Sequence, residues 1–119
     1  MTGLPALGFL AVGLAWWIAP QFIATQFRMD LLTGLGLSTQ IADLASFFLM
    51  LGSAILIGLV SADRVWLYPP ILLLGLAVVG RLIAWRFHGA DLAIAMLVVE
   101  AIVIALLLLN VRHLRMRQA

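Results

Sequence analysis

Charge punctuates this chain rather than covering it. The first charged side chain is Arg28, and before it Leu4 to Ala24 is an uncharged, mostly apolar run. A second run of 19 uncharged residues lies between Asp43 and Asp63. A third starts near Trp66 and Tyr68 and reaches Phe87, with Arg81 inside its last third. A fourth runs from Leu92 to Val111 and holds one charge, Glu100, near its middle. About 20 apolar residues in a helix cross the ~30 Å hydrocarbon core of a bilayer. The blocks therefore predict transmembrane helices over residues 4–24, 42–62, 66–87 and 91–111. Short connections between sequential spans predict an antiparallel, up-down-up-down four-helix bundle. The fold class is all-α and integral to the membrane, in a single domain over residues 1–119.

Local signals refine the boundaries. No positive side chain precedes the first block, so it reads as a retained span rather than a secretory signal. Pro20 is expected to kink or end it near Trp16 and Trp17, an aromatic pair suited to the headgroup level. Phe22 to Ser38 reads as an interfacial turn or short surface helix. The Gly34-Leu35-Gly36 step is expected to break that segment, and Ser38 or Thr39 to cap the helix that follows. Asp63-Arg64 reads as a tight turn. Pro69 and Pro70 fit the first turn of the third helix, where a missing N–H costs nothing. Gly89 is expected to end that helix, and Asp91 favours the amino terminus of the next. Ser46, Gly52 and Gly58 on the second span, with Gly75 and Gly80 on the third, are candidate packing positions where a neighbouring helix comes close.

Composition supports lipid as the solvent. Hydrophobic residues make up 66% of the chain and charged residues 10%, against roughly half and about a quarter in a soluble domain. All seven basic residues are Arg, and Arg112, Arg115 and Arg117 crowd the last eight positions. That cluster flanks a membrane span and suits anionic headgroups; it is too short and too poor in aromatics to argue for nucleic acid. Four spans put both termini on one side, with Arg64, Arg112, Arg115 and Arg117. The other side holds Arg28 and Arg86, with Arg81 leaning toward it. The positive-inside rule then predicts cytoplasmic termini. There is no Cys, which excludes disulfides, thiolate metal sites and Cys nucleophiles.

Arg81 and Glu100 carry the sharpest chemical signal, because ionisable residues inside apolar spans need partners. They lie eight residues before and eleven after Gly89, at depths of roughly 12 and 16 Å from that turn. A direct ion pair between antiparallel neighbours fits these depths. The alternative is that Arg81 snorkels to the nearer interface and leaves Glu100 in a packed core. Asp43, Trp85, Arg86, His88 and Asp91 group as a possible polar mouth on the non-cytoplasmic side. Arg81, Trp85 and His88 share one helical face at i, i+4 and i+7. The bland readings are an N-terminal role for Asp43 and an interfacial one for His88.

Other chemistries are disfavoured. His88 and His113 sit at helix ends rather than inside helices, where a haem-binding bundle places its ligands. No three- or four-residue zinc set is close in sequence. Lys is absent, and with it the phosphate loop that needs it. Ser38, Ser46, Ser53 and Ser61 read as caps or packing residues rather than nucleophiles. No catalytic residue, cofactor or metal is expected.

The stretch Ile41-Ala42-Asp43-Leu44-Ala45-Ser46-Phe47-Phe48, the Gly80-Arg81-Leu82-Ile83 step, His88-Gly89 and the mid-span Glu100 together resemble a family of small bacterial four-helix membrane proteins. It is known as domain of unknown function 4345 and is similar in design to DoxX-like proteins. The resemblance covers nearly the whole chain. It implies a bacterial inner-membrane address and the same four-helix architecture. Relatives often carry an Arg after the Asp-Leu of the second span, followed by paired glycines; here Ala45 stands in that place and Phe47-Phe48 follow Ser46. DoxX-like proteins include members associated with quinone and sulfur chemistry, and no residue here supports that carry-over. The function expected is a non-enzymatic scaffold or accessory subunit of a membrane assembly, partnered by the bilayer, by other membrane subunits or by copies of itself. The alternative is a small transporter or binder of a proton, ion or lipophilic molecule, using the mouth near Arg81 and Glu100.

Overall fold

The computed structural model describes residues 3–92 and 94–118, with side chains described through residue 116. The described residues are helical throughout, apart from turns. They form α1 (Gly3–Ile18), α2 (Pro20–Gln26), α3 (Gly34–Ser61), a 3-10 turn (Arg64–Leu67), α4 (Tyr68–Phe87) and α5 (Ile94–Gln118). Three helical stretches are long and apolar enough to cross a membrane: Gly34–Ser61, Arg64–Phe87 and Ile94–Met116. The chain divides into two compact units, Gly3–Leu56 and Ile57 onward.

In the first unit the apolar run predicted as one span is two helices. Pro20 has no N–H, and it disfavours helical backbone in the residue before it. Ala19 accordingly takes φ −136° and ψ 64°. The chain leaves α1 there and restarts with Pro20 in the first turn of α2. At 16 residues, α1 spans about 24 Å, short of a full hydrocarbon core. After α2 the backbone turns through Arg28 at φ 55°, which lets the Met29 N–H reach the Ala24 carbonyl at 2.9 Å.

The next helix also begins earlier than expected. Gly34, at φ 61°, supplies the bend that opens α3. Gly36 therefore lies inside the first turn instead of breaking the chain, and Ser38 and Thr39 are interior residues rather than caps. The preceding loop is held by Gln40. Its amide donates to the Asp30 carbonyl at 3.1 Å, and its Oε1 accepts from the Leu32 N–H at 2.9 Å. Two loop backbone groups, which would otherwise need water, are satisfied by one side chain that is itself buried.

α1 and α3 meet through reciprocal small residues. A Cβ built on Gly52 would stand 2.5 Å from Leu10 Cγ, and one on Gly13 would stand 2.6 Å from Leu49 Cγ. Each helix thus lays a leucine on the other's glycine. The order, Leu10 on Gly52 and Gly13 on Leu49, runs the two antiparallel. Next to this contact lies a core of Trp16, Ile23, Ala24 and Ala45, with Phe27 and Phe48 packed against it. The Trp16 and Phe27 rings meet edge-on at 6.0 Å, as do Phe27 and Phe48 at 5.4 Å.

The second unit is built on a helical hairpin. Asp63 caps the 3-10 turn, its carboxylate accepting from the Val65 N–H at 3.1 Å. Tyr68, Pro69 and Pro70 then open α4 as the sequence predicts. Gly89 takes φ 73° just past the end of α4, and the Ala90 N–H returns to the Ala84 carbonyl at 3.1 Å. α5 starts at Ile94 rather than at residue 91, so Asp91 precedes the helix instead of sitting in its first turn. α5 also continues past Val111 through Arg112 and Arg115, both exposed. The side chain of Arg117 lies outside the described residues.

Candidate functional site

Among the second unit's buried positions a seven-residue repeat stands out. On the α4 side Leu67 and Leu74 are buried, with Pro70 between them, and the next step of seven is the partly exposed Arg81; on α5 Glu100, Leu107 and Leu114 are buried, with Val103 between the first two. A seven-residue apolar repeat keeps one helix face turned to its partner over several turns. In an antiparallel hairpin registered by Arg81 against Glu100, Leu74 falls level with Leu107 and Leu67 with Leu114. The charged pair is therefore the third layer of a ladder whose other layers are leucine.

The structure brings the two charged residues together. Arg81 Nε donates to Glu100 Oε1 at 2.5 Å. The Glu100 side chain is 9% exposed and that of Arg81 35%. The guanidinium engages Glu100 through Nε, and the Arg81 side chain as a whole is only partly covered. Among the described residues its two terminal nitrogens make no hydrogen bond or ion pair. Ala77 and Ala84 are the small neighbours of Arg81 on α4 at i−4 and i+3.

The residues grouped as a polar mouth divide between the units. Asp43 lies in the first, exposed on α3 beside a shallow surface depression shared with Met29, Leu32, Thr39 and Gln40. Trp85, Arg86, His88 and Asp91 lie in the second, and all four are exposed. Among the described residues these four make no ion pair or side-chain hydrogen bond with one another, although Arg86 stands 5.7 Å over the Phe87 ring. No group of three or more metal-ligating side chains occurs among the described residues.

The small residues sort differently from the expectation. Gly52 is a packing position, against α1. Gly58 packs too, but against Leu67 and Trp66 of the 3-10 turn, 2.8 and 3.2 Å from a built Cβ. Gly75 and Gly80 have nothing within 4 Å and Ser46 is exposed, so none of the three is a packing position within its unit. These residues lie on helix faces turned away from the buried stripe, and a small side chain there brings nothing closer. Sequence reasoning passed over Gly13 and Gln40, and it set Trp16 with Trp17 at the headgroup level, whereas Trp16 is fully buried in the core of the first unit and only Trp17 is exposed. Gln40 did carry a signal, as a lone amide next to a loop rich in backbone groups to satisfy.

An all-α chain with three helices able to cross a membrane, two of them tied by a charged pair, defines a class by architecture. Comparison with protein families, characterised proteins and solved structures finds no match for the chain.

Proposed function

We propose that this chain is a multi-pass, four-span membrane protein that acts as a non-enzymatic scaffold or accessory subunit of a membrane assembly. The observation that carries this reading is the Arg81–Glu100 pair. The two ionisable groups in the apolar stretches of α4 and α5 are engaged with each other, in register with leucine layers. A pair so placed fixes helix register, the best-attested use of a buried polar contact. The large apolar residues left exposed on these helices, such as Leu72, Leu76 and Ile102, suit lipid or a neighbouring subunit. On this reading α1 serves as a short fourth span, closed onto α3 through Gly13 and Gly52, and both termini face the side rich in Arg.

The test is isolation of the tagged full chain from native membranes in a mild detergent, followed by size measurement and mass spectrometry. The scaffold reading expects defined partner subunits or a stable oligomer. A chain that purifies only as a monomer, and that moves a proton, an ion or a lipophilic solute when reconstituted, supports the transporter reading instead. Reporter fusions after Ala119 check the topology, and an active periplasmic reporter there overturns the cytoplasmic assignment.

A further inference from the structure

We propose that the outer end of Arg81 is a binding site for the phosphodiester of a phospholipid headgroup. The inference rests on the membrane placement proposed above. Arg81 presents a planar fork of N–H donors, and its Nε is already committed to Glu100. That bond commits one edge of the guanidinium and leaves the two terminal nitrogens, with four N–H groups, without a partner among the described residues on a side chain that is 35% exposed. Paired outer N–H groups match two oxygens of a phosphate bidentately.

Three features select a lipid over a free oxyanion. The flanks of the site are apolar and exposed: Val79, Leu82, Ile83 and Trp85 on α4 are 44–50% exposed, a surface on which acyl chains lie. Arg81 is six residues from the end of α4, about 9 Å along the axis, and an Arg side chain stretched toward the interface reaches headgroup oxygens from that depth. Glu100 already brings one negative charge to Arg81, so a singly charged diester is repelled less than a doubly charged monoester or inorganic phosphate.

The experiment uses the full chain in a phosphate-free, non-ionic detergent, with bound lipid counted by native mass spectrometry. The probes are a short-chain phosphatidylglycerol, a diacylglycerol with the same chains, and inorganic phosphate. Alkaline washing of the membrane fraction is done first; a chain released by the wash defeats the membrane reading itself, and a chain retained leaves the lipid arm to be judged alone. Phosphatidylglycerol is expected to bind roughly ten-fold tighter than the diacylglycerol, the scale of one charged hydrogen-bonding contact. Arg81→Lys, which keeps the charge but loses the fork, is expected to forfeit most of that difference. The double variant Arg81→Gln with Glu100→Gln keeps a neutral hydrogen-bonding pair, and its expected loss is the full difference; it serves where Arg81→Lys does not fold. Equal phosphatidylglycerol binding by the wild type and the double variant overturns the proposal. So does displacement of the lipid by inorganic phosphate at equal concentration, which would make the site one for a free oxyanion.

Discussion

Alanine at Gly52 and alanine at Gly80 should move stability in opposite directions. Both glycines sit inside helices, where replacement by alanine stabilises by about 0.5–1 kcal/mol if the space is free. At Gly80 it is free, because nothing lies within 4 Å of the new methyl group. At Gly52 the methyl would stand 2.5 Å from Leu10 Cγ and 2.7 Å from the Ala6 carbonyl oxygen. The leucine end can rotate away, but the carbonyl belongs to α1's backbone and moves only if the helix moves. Overpacking of this kind costs about 1–3 kcal/mol. Gly52→Ala should therefore be destabilising by up to about 2 kcal/mol once the propensity gain is subtracted. The two variants should lie roughly 1–3 kcal/mol apart. Thermal unfolding of each in the same detergent, followed by circular dichroism, reads the difference. If Gly52→Ala proves as stable as Gly80→Ala, α1 does not lie against α3 as described, and the antiparallel contact of the first unit is refuted.

The remaining expectations use the same assay. Arg81→Leu and Glu100→Leu should each destabilise by up to about 3 kcal/mol, the low end for a broken buried pair because Arg81 is partly exposed, with the double change recovering much of the loss; a cycle with no coupling would return Arg81 to the snorkelling alternative. Ala62, held at φ 54°, should accept glycine with a gain of about 1 kcal/mol, since left-handed backbone strains any residue with a Cβ; a loss would show that the backbone there is not left-handed. Trp16→Phe should fall within about 1 kcal/mol of wild type, because the buried indole N–H has no acceptor among the described residues and its removal offsets the lost contacts. A drop there as large as that of Trp16→Ala would reveal a hydrogen bond to that nitrogen.

Much of the architecture was legible because charge is so scarce. A lone Arg and a lone Glu in adjacent apolar blocks point at each other, since neither tolerates isolation, and the turn at Gly89 sets their depths. Pro20 was equally plain as a disruption, although only the backbone of Ala19 shows it dividing the first block in two. The start of α3 was misplaced for a specific reason. Glycine both breaks helices and supplies the left-handed bend that starts one, and the sequence does not say which role Gly34 takes. The second role wins here because Gln40, six residues later, anchors the loop that feeds it.

Glycine spacing was the weakest guide, for a reason that also bears on function. A small residue permits close approach but does not cause it; the approach comes from the side chain that fills the space. Leu10 fills it at Gly52 and Leu49 at Gly13, and both contacts lie in the first unit. From the 3-10 turn into α4 the stripe facing α5 runs through buried Leu67 and Leu74 to the partly exposed Arg81, while Gly75 and Gly80 lie off it. The heptad spacing of Leu67, Leu74 and Arg81 against Glu100, Leu107 and Leu114 was the better signal, because it names both sides of a contact at once. It also explains why the charged pair sits where it does. At the next heptad step a leucine would continue the apolar ladder and leave the hairpin free to slide by a turn. An arginine that must meet one glutamate permits a single register, and the same contact engages only the Nε edge of its guanidinium.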